Sequence, residues 1–148
     1  MQPAAKRLKV LFLCTGNSCR SQMAEGLARS FKSSQIEAYS AGTAPHRLNL
    51  QAMKVMKEIG IDISSHTSKQ VDTLRDIPFD FVVTVCDDPY EHCPVWIGKG
   101  KIVHHSFKDP PKLAASAKTE EEALQHYRRI RDEIQTFIET LPDSLLKN

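Results

Sequence analysis

The order of hydrophobic and polar positions along the chain predicts alternating strands and helices. The apolar run Lys9–Leu13 indicates a short buried strand. A helix is predicted from Arg20 onward, because apolar residues then recur every three or four positions. Ile36–Ser40 indicates a second, weaker strand that ends in turn residues.

The middle of the chain continues this alternation. Asn49 is a predicted helix cap, and Gly60 is well placed to end the helix behind it. Phe79–Val85 is the clearest strand because it is apolar and rich in β-branched residues. Ile102–His105 predicts a fourth, short strand.

The C-terminal part predicts one long amphipathic helix. Thr119 followed by Glu122 matches a capping box, and Pro142 stops the helix. Its apolar face comprises Ala123, Leu124, Tyr127, Ile130, Ile134, Phe137, Ile138 and Leu141.

These elements predict an α/β fold with a four-stranded, mainly parallel sheet flanked by helices. Short apolar strands without alternation fit a sheet that is covered on both faces. We expect a single domain over residues 1–148, with a flexible N-terminus at residues 1–7.

Composition and charge narrow the function classes. The chain has 148 residues, 41% hydrophobic and 26% charged, with a net charge of +2. This balance disfavours a disordered protein or a sequence-independent nucleic-acid binder. No apolar run approaches the roughly 20 residues of a membrane span, and no signal-peptide core is present. We therefore expect a cytosolic monomer, because cysteines in that compartment are more often catalytic, redox-active or metal-binding than joined in stable disulfides.

Three reactive side chains follow the predicted strands. Cys14 comes after the first strand, Cys86 after the third and Asp109 shortly after the fourth. The carboxyl ends of parallel strands line one crevice, where open α/β sheets bind ligands. The sequence therefore predicts one site that contains all three side chains.

The segment after the first strand has the properties of an oxyanion-binding loop. Gly16 and Asn17 tolerate the unusual backbone conformations that turn successive N–H groups inward. Arg20 offers a planar fork to a tetrahedral oxyanion. The same donors stabilise a thiolate on Cys14, and the hydroxyl of Ser21 is in position to donate to it. The predicted loop residues are Thr15, Gly16, Asn17, Ser18, Cys19, Arg20 and Ser21.

The motif C-T-G-N-S-C-R-S at residues 14–21 resembles that of low-molecular-weight protein tyrosine phosphatases and of the arsenate reductases that share their fold. Asp109-Pro110 matches the late Asp-Pro of the family, whose Asp is the general acid. The resemblance extends over nearly the whole chain, including residues 39–42 and 61–64. It implies a four-stranded parallel sheet with flanking helices.

Cys86 and Cys93 add a pair of thiols seven positions apart. In one regular helix this separation would be about 10.5 Å, whereas a disulfide needs Cα atoms about 4.4–6.8 Å apart. A disulfide here therefore requires a looped segment, which Asp88-Pro89 and Cys93-Pro94 favour. A zinc site with His92, His104 or His105 is the alternative, although the spacing is looser than usual zinc-ligand spacing.

This C-x6-C segment resembles the redox segment of thioredoxin-coupled arsenate reductases. The resemblance implies arsenic detoxification by a relay in which Cys14 attacks arsenate, Cys86 attacks Cys14, and Cys93 attacks Cys86. Thioredoxin would then reduce the Cys86–Cys93 disulfide. A glutaredoxin or mycothiol route remains open. No resident cofactor is expected.

Two alternative functions remain open from the sequence. A low-molecular-weight tyrosine phosphatase would need only Cys14, Arg20 and Asp109. Members of that class often carry paired tyrosines after Asp-Pro, whereas Pro111 and Lys112 follow here. The second alternative is a redox sensor or anion-binding module without turnover. Slow phosphatase side activity is compatible with the intact loop.

Some relatives hold a potassium ion beside the loop, with ligands that match Asn17, Glu25 and Ser40 here. Their further acidic ligand corresponds to Lys69 in this chain. We therefore expect weak or absent potassium binding, with the Lys69 ammonium either replacing the ion or pointing to solvent. Cys19 is expected to be a packed thiol, and an off-pathway disulfide with Cys14 remains open.

Overall fold

The computed structural model describes residues 7–87 and 95–147. One sheet of four parallel strands in the order β2-β1-β3-β4 forms its centre. The strands are β1 Leu8–Leu13, β2 Ile36–Ala41, β3 Phe81–Thr84 and β4 Lys101–His104. The predicted fold class, an α/β fold with four parallel strands, is confirmed.

Five α-helices and one short 3-10 helix surround the sheet in the described part of the chain. Their bounds are α1 Arg20–Phe31, α2 Leu50–Glu58, 3-10 helix Val71–Leu74, α3 Pro110–Ala114, α4 Glu120–Glu139 and α5 Asp143–Leu146. The three shortest of them were not predicted, because four or five residues are too few to show a helical period.

Alternate side chains of β1 enter two apolar clusters, so the sheet is covered on both faces as expected. Val10 and Phe12 belong to the larger cluster, which also contains the apolar faces of α1, α2 and α4. Leu11 and Leu13 belong to a smaller cluster with Trp96. These four side chains of β1 are fully buried, and each such burial contributes roughly 1.5–3 kcal/mol.

The predicted strand Phe79–Val85 is longer than the observed strand. Phe79 instead turns its ring edge-on to Tyr39 and Trp96, with centroids 5.2 and 5.5 Å away. Strand-like pairing does continue past the end of β3, since the Val85 N–H donates to the Leu13 carbonyl at 2.9 Å. The β-forming sequence therefore extends slightly beyond the four residues that form β3.

The predicted helix ends agree with the structure in most details. The Asn49 side chain accepts a hydrogen bond from the Ala52 N–H, and Gly60 has a φ of +82° beyond α2. The Thr119 hydroxyl accepts from the Glu122 N–H at 3.1 Å. The Glu122 carboxylate, however, accepts from the Lys118 N–H rather than from that of Thr119, so the capping box is shifted by one residue.

Residues 1–6 of the expected flexible N-terminus lie outside the described residues. Arg7 pairs with Glu37 at 3.0 Å and donates to the Ser33 carbonyl. Across the described ranges, no helix is long and apolar enough to cross a membrane.

Candidate active site

The candidate active site lies at the carboxyl end of β1, which is a central strand between β2 and β3. A cavity of about 450 Å³ opens there. Its lining comprises Cys14, Thr15, Gly16, Ser18, Cys19, Arg20, His46, Asp109, Pro111 and Lys112. The structure therefore brings together the predicted nucleophile, loop, arginine and acid.

The carbonyl groups of the loop are held by residues outside it. Those of Thr15, Gly16 and Ser18 accept from the backbone N–H groups of Ala44, His46 and Asn49 at 2.8–2.9 Å. The Asn17 carbonyl accepts from the Gln22 and Ser68 side chains. In a planar trans peptide the next N–H points the opposite way. The loop thus presents successive N–H groups on its other side, as an oxyanion cradle requires.

Two glycines allow this close approach of chain segments. A Cβ on Gly42, just after β2, would lie only 2.4 Å from the Thr15 carbonyl oxygen. A Cβ on Gly16 would lie 2.7 Å from the His46 ring. The left-handed conformation belongs to Asn17 alone among the loop residues, with a φ of +47°. Gly16 has no positive φ, so its missing Cβ here provides space beside the His46 ring.

Ser21 and Asn17 position the sulfur of Cys14. The Ser21 hydroxyl oxygen lies 2.9 Å from Cys14 Sγ and also accepts from the Asn17 side-chain amide at 2.9 Å. When Cys14 attacks as a thiolate its sulfur can only accept, so the Ser21 hydroxyl is then the donor of this contact. All three side chains are buried.

The Arg20 guanidinium is held by backbone carbonyls that follow β3 and β4. Its Nη1 donates to the Phe107 carbonyl at 3.0 Å and to the Val85 carbonyl at 3.4 Å. Its Nη2 lies 3.6 Å from Asp109 Oδ1. Asp109 occupies the N-cap position of α3, and its side chain is only 22% exposed. The guanidinium and the carboxyl group therefore both face the cavity above Cys14.

Cys86 follows β3, which is the neighbour of β1 in the sheet. Leu13 pairs with Thr84 in the register of these strands, so Cys86 comes one residue beyond the position opposite Cys14. Both cysteines belong to the same buried cluster, and Cys86 is fully buried. Cys86 is not among the residues that line the cavity. Cys93 and His92 lie outside the described residues.

Cys19 differs from the other thiols in its electrostatics. Burial raises the pKa of the Cys19 thiol well above its usual value, and the charges of Cys14 and Asp109 act in the same direction. Arg20 opposes this shift without reversing it. Cys19 therefore stays protonated at neutral pH and is a weak nucleophile, which agrees with a packed thiol.

The buried carboxylate of Glu25 is surrounded by donors and cations. Ser40 donates to it at 2.6 Å, and Arg29 lies 3.0 Å away. The Lys69 ammonium lies 3.9 Å from it and donates to the Thr67 carbonyl at 2.7 Å. Of the two expectations for Lys69, the structure thus favours the one in which the ammonium faces the carboxylate.

This carboxylate is linked to the loop through two side chains. The Nδ1 atom of His66 lies 3.8 Å from the Glu25 carboxylate and 3.0 Å from the side-chain oxygen of Gln22. Because an amide oxygen can only accept, Nδ1 is the donor to Gln22. Gln22 in turn donates to both the backbone carbonyl and the side chain of Asn17. Burial lowers the pKa of His66, although Glu25 opposes the shift.

The sequence analysis assigned no role to His46, Pro111, Lys112, Gln22 or His66, which all contribute to the cavity or to its support. His46 and Lys112 were recognisable only as polar residues near the motif. In the part of the chain that the structure describes, no group of three or more His, Cys, Asp or Glu side chains is arranged to hold a metal ion.

Comparisons with known proteins agree with this geometry. The family model described as low molecular weight phosphotyrosine protein phosphatase matches residues 9–148. A Bacillus subtilis (strain 168) protein named arsenate reductase is 47% identical over 125 residues, which covers 84% of this chain and 88% of that protein.

Two solved structures extend the comparison. One, described as an arsenate reductase in the phosphate binding state, has a TM-score of 0.74 and 30% identity, and the match covers 90% of this chain and 95% of that chain. The other, a thioredoxin-dependent arsenate reductase from Corynebacterium glutamicum, has a TM-score of 0.58 and 26% identity. That match covers 93% of this chain and 64% of the other.

Proposed function

This chain belongs to the low molecular weight phosphotyrosine protein phosphatase family, and we propose that within it the protein reduces arsenate to arsenite. A relay of Cys14, Cys86 and Cys93 would supply the electrons, and thioredoxin would restore the thiols. The observation that best supports the proposal is the register of the neighbouring strands β1 and β3, because it brings the buried Cys86 to one residue beyond the position opposite Cys14. A phosphatase needs no second thiol at that position.

The first step forms a bond between sulfur and arsenic. The loop N–H groups and Arg20 bind the oxyanion, and the Cys14 thiolate attacks As(V). Asp109 donates a proton so that one oxygen leaves as water. The position of Asp109, at the cavity and 3.6 Å from Arg20, supports this role.

The second step transfers two electrons. The Cys86 thiolate attacks the Cys14 sulfur, an S–S bond forms, and the S–As bond breaks. The electron pair of that bond stays on arsenic, which becomes As(III) and leaves as arsenite. Two thiols have then become one disulfide, which balances the two-electron reduction.

The third step moves the disulfide away from the loop. The Cys93 thiolate attacks the Cys86 sulfur and releases the Cys14 thiolate. The Cys86–Cys93 disulfide would be opened by a dithiol partner, for which thioredoxin is the proposed reductant. The name of the related Corynebacterium glutamicum enzyme supports this choice. A reducing cytosol, our proposed location, supplies such partners.

Phosphate esters should also react slowly at this site. The loop, Cys14 and Asp109 supply what phosphoryl transfer to a thiolate requires, and the family match favours it. Phosphorus(V) cannot be reduced by thiols here, so water would hydrolyse the phosphocysteine. This side activity requires neither Cys86 nor Cys93.

Arsenite production with a thioredoxin system, compared with a glutathione–glutaredoxin system, tests the proposal. We expect multiple turnover with thioredoxin only, and its loss in the Cys14→Ser, Cys86→Ser and Cys93→Ser variants. Hydrolysis of p-nitrophenyl phosphate is the internal control, because only Cys14→Ser should abolish it. Multiple turnover by the Cys86→Ser or Cys93→Ser variant would contradict the relay.

A further inference from the structure

The cavity extends beyond the space that one oxyanion fills. Its volume is about 450 Å³, whereas a water molecule occupies about 30 Å³. Residues 14–16 and 18–20 contribute the loop part of the lining, and the remaining lining comes from His46, Asp109, Pro111 and Lys112. These four residues therefore surround whatever part of the substrate points away from the loop.

The geometry of the reaction sets the orientation of a bound tetrahedral anion. Three oxygens face the loop N–H groups and Arg20, and the fourth lies opposite the attacking sulfur of Cys14. That fourth oxygen therefore points away from the loop, and Asp109 and Lys112 are among the lining residues that do not belong to the loop. In arsenate or inorganic phosphate it is a small polar atom, whereas in a phosphate monoester it carries the organic group.

Lys112 lies three residues after Asp109, within the single turn of α3. Residues at this spacing share one side of a helical turn, which agrees with both side chains lining the cavity. Lys112 is exposed and lines the cavity, so its long side chain brings a positive charge to the opening. Such a charge favours an anion with a polar oxygen at the outward position over one that carries an organic group there.

We propose that Lys112 is a specificity-determining residue, whose ammonium binds the outward-facing oxygen of a small inorganic oxyanion and so favours it over phosphate monoesters. This inference deepens the proposed function and rests on it for the choice of arsenate. The contact is made before water leaves as a neutral molecule, so it lowers KM and has little effect on kcat.

The test compares Lys112→Gln with the matched change Lys108→Gln. Lys108 is exposed and four residues earlier, and it is not among the residues that line the cavity. Calorimetric binding of inorganic phosphate should weaken about fivefold in Lys112→Gln, while that of phenyl phosphate changes by less than about twofold. The Lys108→Gln protein should match the wild type for both ligands.

The KM for arsenate should rise about fivefold in Lys112→Gln, with kcat nearly unchanged. Equal weakening of both phosphate ligands, or unchanged phosphate binding, would overturn the inference. Because the calorimetry needs no arsenate reduction, a failure of the proposed function would leave this result interpretable. If no arsenite is produced but the expected phosphate selectivity is observed, the proposed arsenate reduction is wrong and the role of Lys112 in anion specificity is supported.

Discussion

The hydroxyl oxygen of Ser21 lies 2.9 Å from the sulfur of Cys14, and the Asn17 amide donates to that same oxygen. A thiolate can only accept hydrogen bonds, so the Ser21 hydroxyl is the donor when Cys14 acts as a nucleophile. The Asn17 amide holds the serine oxygen in position for this contact.

Removal of this donor should slow the chemistry of Cys14. In Ser21→Ala we expect alkylation of Cys14 by iodoacetamide at pH 7 to slow about tenfold, the effect of losing one charge-assisted hydrogen bond. Peptide mapping by mass spectrometry measures the rate at Cys14 alone. The exposed Ser116→Ala change is the matched control and should react as the wild type does. Equal rates in all three proteins would refute the role of Ser21.

The sequence predicted the order of strands and helices because each element carries a local signal. The β-branched run near Val83 and the capping residues Asn49 and Thr119 are examples. The meeting of Cys14, Arg20 and Asp109 at one cavity was also predictable, since parallel strands bring their carboxyl ends to one edge. Cys86 follows β3 at the same edge but is not among the residues that line the cavity.

Other features depend on contacts between distant segments and carry no local signal. Gly42 looks like an ordinary turn residue, although its missing Cβ is what lets β2 approach the loop. The environment of Glu25 likewise combines α1, β2 and the segment near residue 69. Such approaches become visible only when the chain is folded.

Gly42→Ala should damage the oxyanion loop. The added Cβ would meet backbone atoms of Cys14, Thr15 and Asn17 within 2.9 Å, and backbone cannot move aside as a flexible side chain can. We expect the free energy of unfolding to fall by roughly 1–3 kcal/mol, measured by urea denaturation. Phosphate affinity should fall as well. A variant with wild-type stability and phosphate affinity would show that the loop tolerates the shift.

Potassium should not stimulate this protein. The Lys69 ammonium is 3.9 Å from Glu25, and the Lys69 N–H occupies the side-chain oxygen of Asn17 at 2.8 Å. A cation at that carboxylate would meet like charge. We expect equal activity and equal Tm in potassium, sodium and choline chloride at the same ionic strength. An activity that rises several-fold with potassium alone would contradict this account of Lys69.

Stability should decrease as the solution becomes acidic. Burial lowers the pKa of His66 in the folded protein. At pH values between that lowered pKa and the ordinary pKa near 6.5, the imidazole is therefore protonated in the unfolded chain and neutral in the folded protein. Stability is therefore lost as the pH falls below about 6.5. Burial lowers the pKa of His105 too, so its contribution has the same sign.

Replacement of His66 by glutamine tests this dependence. Thermal unfolding between pH 7.5 and pH 5 should show a smaller decrease of Tm in His66→Gln than in the wild type, with His105 accounting for part of what remains. An unchanged slope would mean that His66 titrates alike in the folded and unfolded states. Glutamine preserves a hydrogen-bonding side chain beside Gln22, so gross loss of the contact is avoided.

The central claim is that Cys14 and Cys86 give two electrons to arsenic and that the resulting disulfide then moves to Cys86 and Cys93. Disulfide mapping after one turnover with arsenate and without a reductant tests it most directly. The account predicts one arsenite per protein, a Cys86–Cys93 disulfide in the wild type and a Cys14–Cys86 disulfide in Cys93→Ser. Arsenite release with Cys86 still a free thiol would contradict it.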